Sequence, residues 1–351
     1  MSQQTTPTTA PQPPATTSRT AGASSGPRPL AQVLGNQQVI LVVVLAVMVA
    51  VFSVINPKFF SVGVFGNILV DWAPIALIAI GQTFVVISGG IDLSVGSTIT
   101  ISGVVAAFAM QAITGAGVSD PVSILMGAVV AILTGVVVGL VNAVLINQAR
   151  LVPFIATLAT LGAGAGLSLV LTKGGPVGGG PPSAINLSVP VLGPLSWPVV
   201  VVAAVALIGG AFLHRARFGR YTYAIGGNQF SAVASGIAVK RHITKVYVLS
   251  GALAGTAGMV TYLTLSSGSP SSGLGDELNA IAAVVIGGAS LTGGVGRMGG
   301  TILGSLILTT VTSGLIVSNI DPNWNQVVVA ILIAAAVSLQ TLRGSHQRRK
   351  P

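Results

Sequence analysis

The chain has 351 residues, 52% of them hydrophobic and only 6% charged, against roughly 25% charged in a soluble globule, so a domain clothed in water is excluded. It has no cysteine, which removes disulfides and thiolate metal sites, and His214, His242 and His346 each lie beside basic residues in polar segments that suit solvated loops rather than metal ligation. The net charge of +10 does not argue for nucleic acid, because the Lys and Arg residues flank apolar runs instead of forming one basic face.

Residues 1–37 are rich in Thr, Pro, Ala, Ser and Gln and have almost no large apolar side chains. Such a segment cannot bury a core and is expected to be a disordered tail. The first apolar run begins near Val39, too far along for a secretory signal peptide, and reads as an uncleaved anchor helix.

Crossing about 30 Å of hydrocarbon takes roughly 20 apolar residues in a helix. Runs of this kind fall at 38–56, 66–88, 95–111, 123–147, 152–172, 195–213, 243–265, 277–291, 299–318 and 324–341. They are continuously apolar rather than alternating, which favours a helical bundle over a β-barrel. The expected fold class is an all-α integral membrane protein of about ten transmembrane helices over 38–342, with Gly-broken helices and a basic tail at 343–351.

Orientation follows from the basic residues. With an even number of spans and both termini inside, every Lys and Arg except Lys58 and Lys173 falls on the inner side. Asp71, Asp120, Asp276, Glu277 and Asp321 then lie toward the outer side, leaving Asp92 near the inner one.

The longest polar interruption, 214–245, is also inner. It holds a helical-looking stretch, Gln229–Val239, preceded by Gly226-Gly227-Asn228. Phe230, Val233, Ala234 and Ile237 follow the i, i+3, i+4, i+7 rule of a helix that docks in a groove. The alternative is a loop helix that packs the same face on its own bundle.

No lysine sits in the G-x-x-x-x-G-K-[ST] context of a P-loop, so any ATP driving this protein binds another chain. A G-x-G-x-x-G match at Gly294, Gly296 and Gly299 has no preceding strand. Close helix packing fits better, since Gly296, Gly300 and Gly304 recur every four residues, as do Gly251 and Gly255. No Ser/His/Asp or paired-carboxylate arrangement supports an enzyme, and no cofactor or metal is expected.

The segment Gly81–Ser97, GQTFVVISGGIDLSVGS, breaks one apolar helix at Ser88-Gly89-Gly90 and opens another after Asp92, Ser94 and Ser97. Asp92 is placed to cap the second helix. Alternatively, Gly89, Gly90, Asp92, Ser94 and Ser97 line a polar passage, since irregular backbone at membrane depth is tolerated where it is buried or lines water. Arg297, on the same inner side, is a candidate charge partner for Asp92. Ser88-Gly89-Gly90-Ile91-Asp92 matches Ser272-Gly273-Leu274-Gly275-Asp276 as S-G-x-x-D, with one break inner and the other outer, as an inverted repeat would place them.

Gly81–Ser97 resembles the GGIDLSVGS segment of ribose-type ABC permeases. Phe218–Val239, Asp276–Gly304 and Asn323–Ala336 resemble the same family in the same order, so the likeness runs from about residue 38 to near the end. Branched-chain amino-acid permeases tend to read Asn-Leu and to end in Glu where this chain has Asp92-Leu93 and Ser97, which favours the sugar branch. The resemblance implies a permease subunit of an ATP-driven importer for a monosaccharide such as ribose, in the bacterial cytoplasmic membrane with both termini cytoplasmic. It further implies a second permease subunit, a cytoplasmic ATP-binding subunit and an extracytoplasmic sugar-binding protein as partners, besides membrane lipid. Gly227, Asn228, Phe230, Val233, Ala234, Gly236 and Ile237 would carry the coupling to the ATPase. An ion-coupled secondary transporter, or an ABC permease for another small polar solute, remains the alternative.

Overall fold

The computed structural model describes residues 37–321 and 323–332, together with 334 and 338. The expected tails at 1–37 and 343–351 lie outside the described residues, except for Gln37, which is helical, as does most of the last expected span beyond 332.

Eleven helices have defined bounds: α1 (Gln37–Ile55), α2 (Val62–Ile87), α3 (Val95–Gly115), α4 (Asp120–Asn147), α5 (Pro153–Thr172), α6 (Trp197–His214), α7 (Arg217–Gly227), α8 (Gln229–Ala234), α9 (Val239–Leu265), α10 (Asp276–Ile286) and α11 (Met298–Val317). A further helix runs from residue 324 to the limit of the continuous description. Among the described residues, eight helices are long and apolar enough to cross a membrane. The expected span at 277–291 is different. It forms only the 11 residues of α10, about 16 Å at helical rise and half a membrane, because Gly287 and Gly288 stop it early.

The bundle is built around α2 and α9. The α9 helix packs on α2, α3 and α4, while α2 also meets α6, α10 and α11. Some 83% of α2's apolar window is buried and only 6% of α1's, so α1 stands at the rim against α11. Lipid is as apolar as leucine, so helices associate here through close packing and hydrogen bonds rather than through a hydrophobic drive. Gly251 and Gly255 supply the packing expected of them. A side chain at Gly251 would strike the carbonyl of Gly135, and one at Gly135 the carbonyl of Gly251, so α4 and α9 touch backbone to backbone. Gly300 and Gly304 do the same against Gly287 and Ala283 of α10, whereas Gly296 precedes α11 and abuts Ile87. Trp72 Nε1 donates to Ser305 Oγ at 2.8 Å and Thr83 Oγ1 meets Thr301 Oγ1 at 2.8 Å, binding α2 to α11.

Two breaks interrupt the bundle. At the first, Gly89 takes φ 85°. The Gly89 and Gly90 N–H groups return to the Val86 and Val85 carbonyls at 2.9 Å each, closing α2. At the second, Gly273 takes φ 81° at the same place in its S-G-x-x-D match. This second break dips inward. Gly273 and the Glu277 carboxylate pack on Gly96 in the first turn of α3, and Thr100 donates to the Ser272 carbonyl. Glu277 is 9% exposed, so its carboxylate is enclosed within the bundle.

On the basic side, Gly294 N donates to the Ile87 carbonyl at 2.8 Å. Gly226, near the end of α7, leaves no room for a side chain at that contact. His242 departs from expectation: it is 5% exposed, bonded to Thr222 Oγ1 at 2.9 Å and flanked by the Phe218 and Tyr221 rings.

Candidate functional site

The polar turn after α2 is built inward. Asp92 is 1% exposed and receives three hydrogen bonds. Its Oδ1 accepts the Ser94 N–H at 3.0 Å and the Ser94 hydroxyl at 2.6 Å, and its Oδ2 accepts the Ser250 hydroxyl of α9 at 2.8 Å. The expected helix cap is thus corrected. Ser94 stands at the N-cap position of α3 without a side-chain capping bond, and Asp92 holds the turn just before it instead of bonding the helix's own N–H groups. The expected pairing with Arg297 is corrected too. Among the described residues the Asp92 carboxylate meets two hydroxyls, one backbone N–H and no cation, while Arg297 is exposed and lies near His214 and Tyr223.

From Ser94 the network spreads across the bundle. Asn142 Nδ2 of α4 donates to Ser94 Oγ at 2.7 Å, and Thr160 Oγ1 of α5 donates to Asn142 Oδ1 at 2.6 Å. Ser97 Oγ lies 3.1 Å from the Ser94 carbonyl and 3.4 Å from that of Thr160. Thr157 Oγ1 donates to the Ile91 carbonyl at 3.2 Å. With its Nε2 facing the Asp92 carbonyl, the Gln82 amide meets both backbone groups of Asp92 at 3.2 Å. Five helices therefore converge on one turn. Gln82, Asn142, Thr157, Thr160 and Ser250 were not singled out from the sequence. The available signal was a lone amide or hydroxyl within an apolar span, clearest at Asn142, which follows Gly135 and Gly139 at helical spacing.

The five residues expected to line a passage divide into two sets. Gly89 and Gly90, with Ser88, line a cavity of about 480 Å³ that Asn147, Arg150, Gln229, Lys240 and Tyr247 complete. Asp92, Ser94 and Ser97 are enclosed within the bundle. Tyr247 closes the boundary, since its hydroxyl would meet any side chain placed at Gly90.

Beside this cavity stands α8. It is shorter than the expected Gln229–Val239 stretch, because Gly236 at φ 80° turns the chain after Ala234. Asn228 caps it, its Oδ1 accepting the Ser231 N–H at 2.9 Å, directly after exposed Gly227. Phe230 is 90% exposed and Val233 58% exposed, with Ala234 exposed beside them. Ile237 belongs to the other side, packed with Ala232 and Val239 on Ile225 and Ile243.

A family described as the permease component of branched-chain amino acid transport systems matches residues 64–337. The chain belongs to this family. Among the permease's relatives, the ribose import permease protein RbsC of Bacillus subtilis is 40% identical over 300 residues, covering 84% of this chain and 90% of that protein. RbsC of Escherichia coli K12 is 37% identical over 306 residues, covering 84% and 91%. The D-allose transport system permease protein AlsC of the same strain is 36% identical over 300 residues, covering 85% and 90%. No solved structure matches the permease.

Proposed function

We propose that this permease forms the alternating-access pathway of an ATP-driven importer for a monosaccharide such as ribose. The observation that carries this reading is that relatives at 36–40% identity, matched over nine-tenths of their length, are named for import of ribose and allose. The chemistry of the broken-helix region agrees, because Gln82, Ser94, Ser97, Asn142, Thr160 and Ser250 offer the hydroxyl and amide groups that bind a neutral polyol. Gly89, Gly90, Asp92, Ser94 and Ser97 stand on the pathway, and switching between two packings of the bundle exposes the enclosed members. The basic side faces the cytoplasm, where Phe230, Val233 and Ala234 of α8 seat the ATP-binding subunit. An extracytoplasmic binding protein delivers the sugar, and a second permease subunit completes the pathway.

One observation favours an ion-coupled transporter instead. Asp92 is an enclosed carboxylate with no cation beside it among the described residues, as a coupling group would be. Uptake of labelled ribose into vesicles carrying the whole complex decides between them. Uptake should follow ATP supplied inside and persist when a protonophore collapses the proton gradient. Abolition by the protonophore with ATP intact would transfer the assignment to ion coupling.

A further inference from the structure

A second cavity, of about 520 Å³, lies between α2, α6, α7 and α9, apart from the broken-helix turn. Its walls are apolar, formed by side chains such as Phe84, Ile208, Phe212, Phe218 and Leu253. The polar side chains lining it are Thr244 and Lys245, together at one end. From Lys245 to Leu253 the slot follows α9 for about 12 Å at helical rise. It opens sideways, since Ile208 is 60% and Phe212 51% exposed on a helix long and apolar enough to cross the membrane.

A slot that is apolar along its length and cationic at one end matches an acyl chain beneath an anionic headgroup. Arg241, exposed one turn before Lys245 on the same face of α9, adds a second positive charge at that end. A sugar finds no hydrogen-bonding groups along the walls. A second copy of this chain offers Lys245 no answering charge: the exposed carboxylates among the described residues, Asp71 and Asp321, lie toward the opposite side. We propose that this groove binds one anionic phospholipid, its phosphate on Lys245 and one acyl chain against Phe84, Phe212 and Leu253. The headgroup contact draws on the attraction that basic residues exert on acidic lipids at a membrane surface. The occupant also braces α7, because Phe218 meets Phe84 and Phe212 edge-to-face at centroid distances of 5.6 and 6.2 Å.

Native mass spectrometry of the purified permease, titrated with phosphatidylglycerol or phosphatidylcholine of equal chain length, tests the site. The wild type should retain phosphatidylglycerol more tightly by roughly fivefold, the worth of one basic residue at an anionic surface. Lys245→Gln combined with Arg241→Gln should remove that preference while leaving chain binding. Ile208→Trp, at an exposed position that folding tolerates, should fill the slot and lose both lipids; Val248→Trp repeats the test from the opposite wall. Equal retention of the two lipids by the wild type, or unchanged phosphatidylglycerol binding by either Trp variant, would overturn the proposal. It also falls if a Trp variant separates permease dimers while keeping the lipid, since the groove would then be an interface between copies.

Discussion

The Asn142 amide of α4 donates to the Ser94 hydroxyl at 2.7 Å, bringing together residues 48 positions apart in the chain. Asn142 Oδ1 is occupied as well, by Thr160. Asn142→Leu should therefore lower stability by about 1–2 kcal/mol, the upper part of the range for an interhelical hydrogen bond in a membrane protein. Asn142→Asp should cost more, because it sets a second carboxylate against the hydroxyl that already serves Asp92. Thermal unfolding in detergent gives the comparison. An Asp variant as stable as wild type would remove the network from the account.

For Asp92 the prediction separates shape from charge. Asp92→Asn keeps an oxygen for Ser94, and its amide can face a rotated Ser250 hydroxyl, so assembly should persist. Asp92→Ala strands three donors at once and should destabilise by about 3 kcal/mol or more, given that hydrogen bonds to charged groups contribute about 1.5–3 kcal/mol each. Size-exclusion profiles report assembly and vesicle uptake reports function. Transport lost in an assembled Asn variant assigns a role to the charge, and normal transport leaves the turn as Asp92's whole contribution.

Glycine is required at one helix contact and dispensable at another. Gly251→Val should force α4 and α9 apart and sharply reduce folded protein, since each backbone fills the other's Cβ position. Gly162 of α5 has open space around it, so Gly162→Ala should be neutral or stabilise by up to about 1 kcal/mol through helix propensity. Equal yields of the two variants would refute the close-packed contact.

The exposed face of α8 should read out coupling without disturbing the fold. Phe230→Asp and Ala234→Arg change solvent-facing positions, so the permease should still insert and purify while losing co-purification of the ATP-binding subunit. Ala232→Arg is the contrasting case: Ala232 is 3% exposed, and a charge there should damage the α7–α8 region itself. Wild-type ATPase capture by both surface variants would move the docking surface to another loop on the basic side, beginning with the one near Arg150.

The long helices were legible because a membrane span needs little more than an unbroken apolar run, and α4 and α9 declare themselves that way. The first break was legible for a similar reason, as Gly89-Gly90 can hardly continue a helix in lipid. The half-length of α10 was not, since Ala282–Ile286 and the apolar residues after Gly288 read as one run until the glycines are seen to turn. Convergence was also hidden. Gln82, Asn142, Thr160 and Ser250 come from four helices, and only the rotation of each helix decides that they face one turn. Charge signs alone suggested Asp92 with Arg297, but burial of the first and exposure of the second set them in different surroundings.

At the contact of Ile87 with Gly294, pressed by Gly226, three segments meet through main chain alone. Side chains elsewhere in the bundle can swing between rotamers and absorb a small shift, but peptide units in direct contact have no such slack. A tilt of α7 should therefore carry the end of α2 and the lead-in of α11 with it. The three segments should then move as one unit.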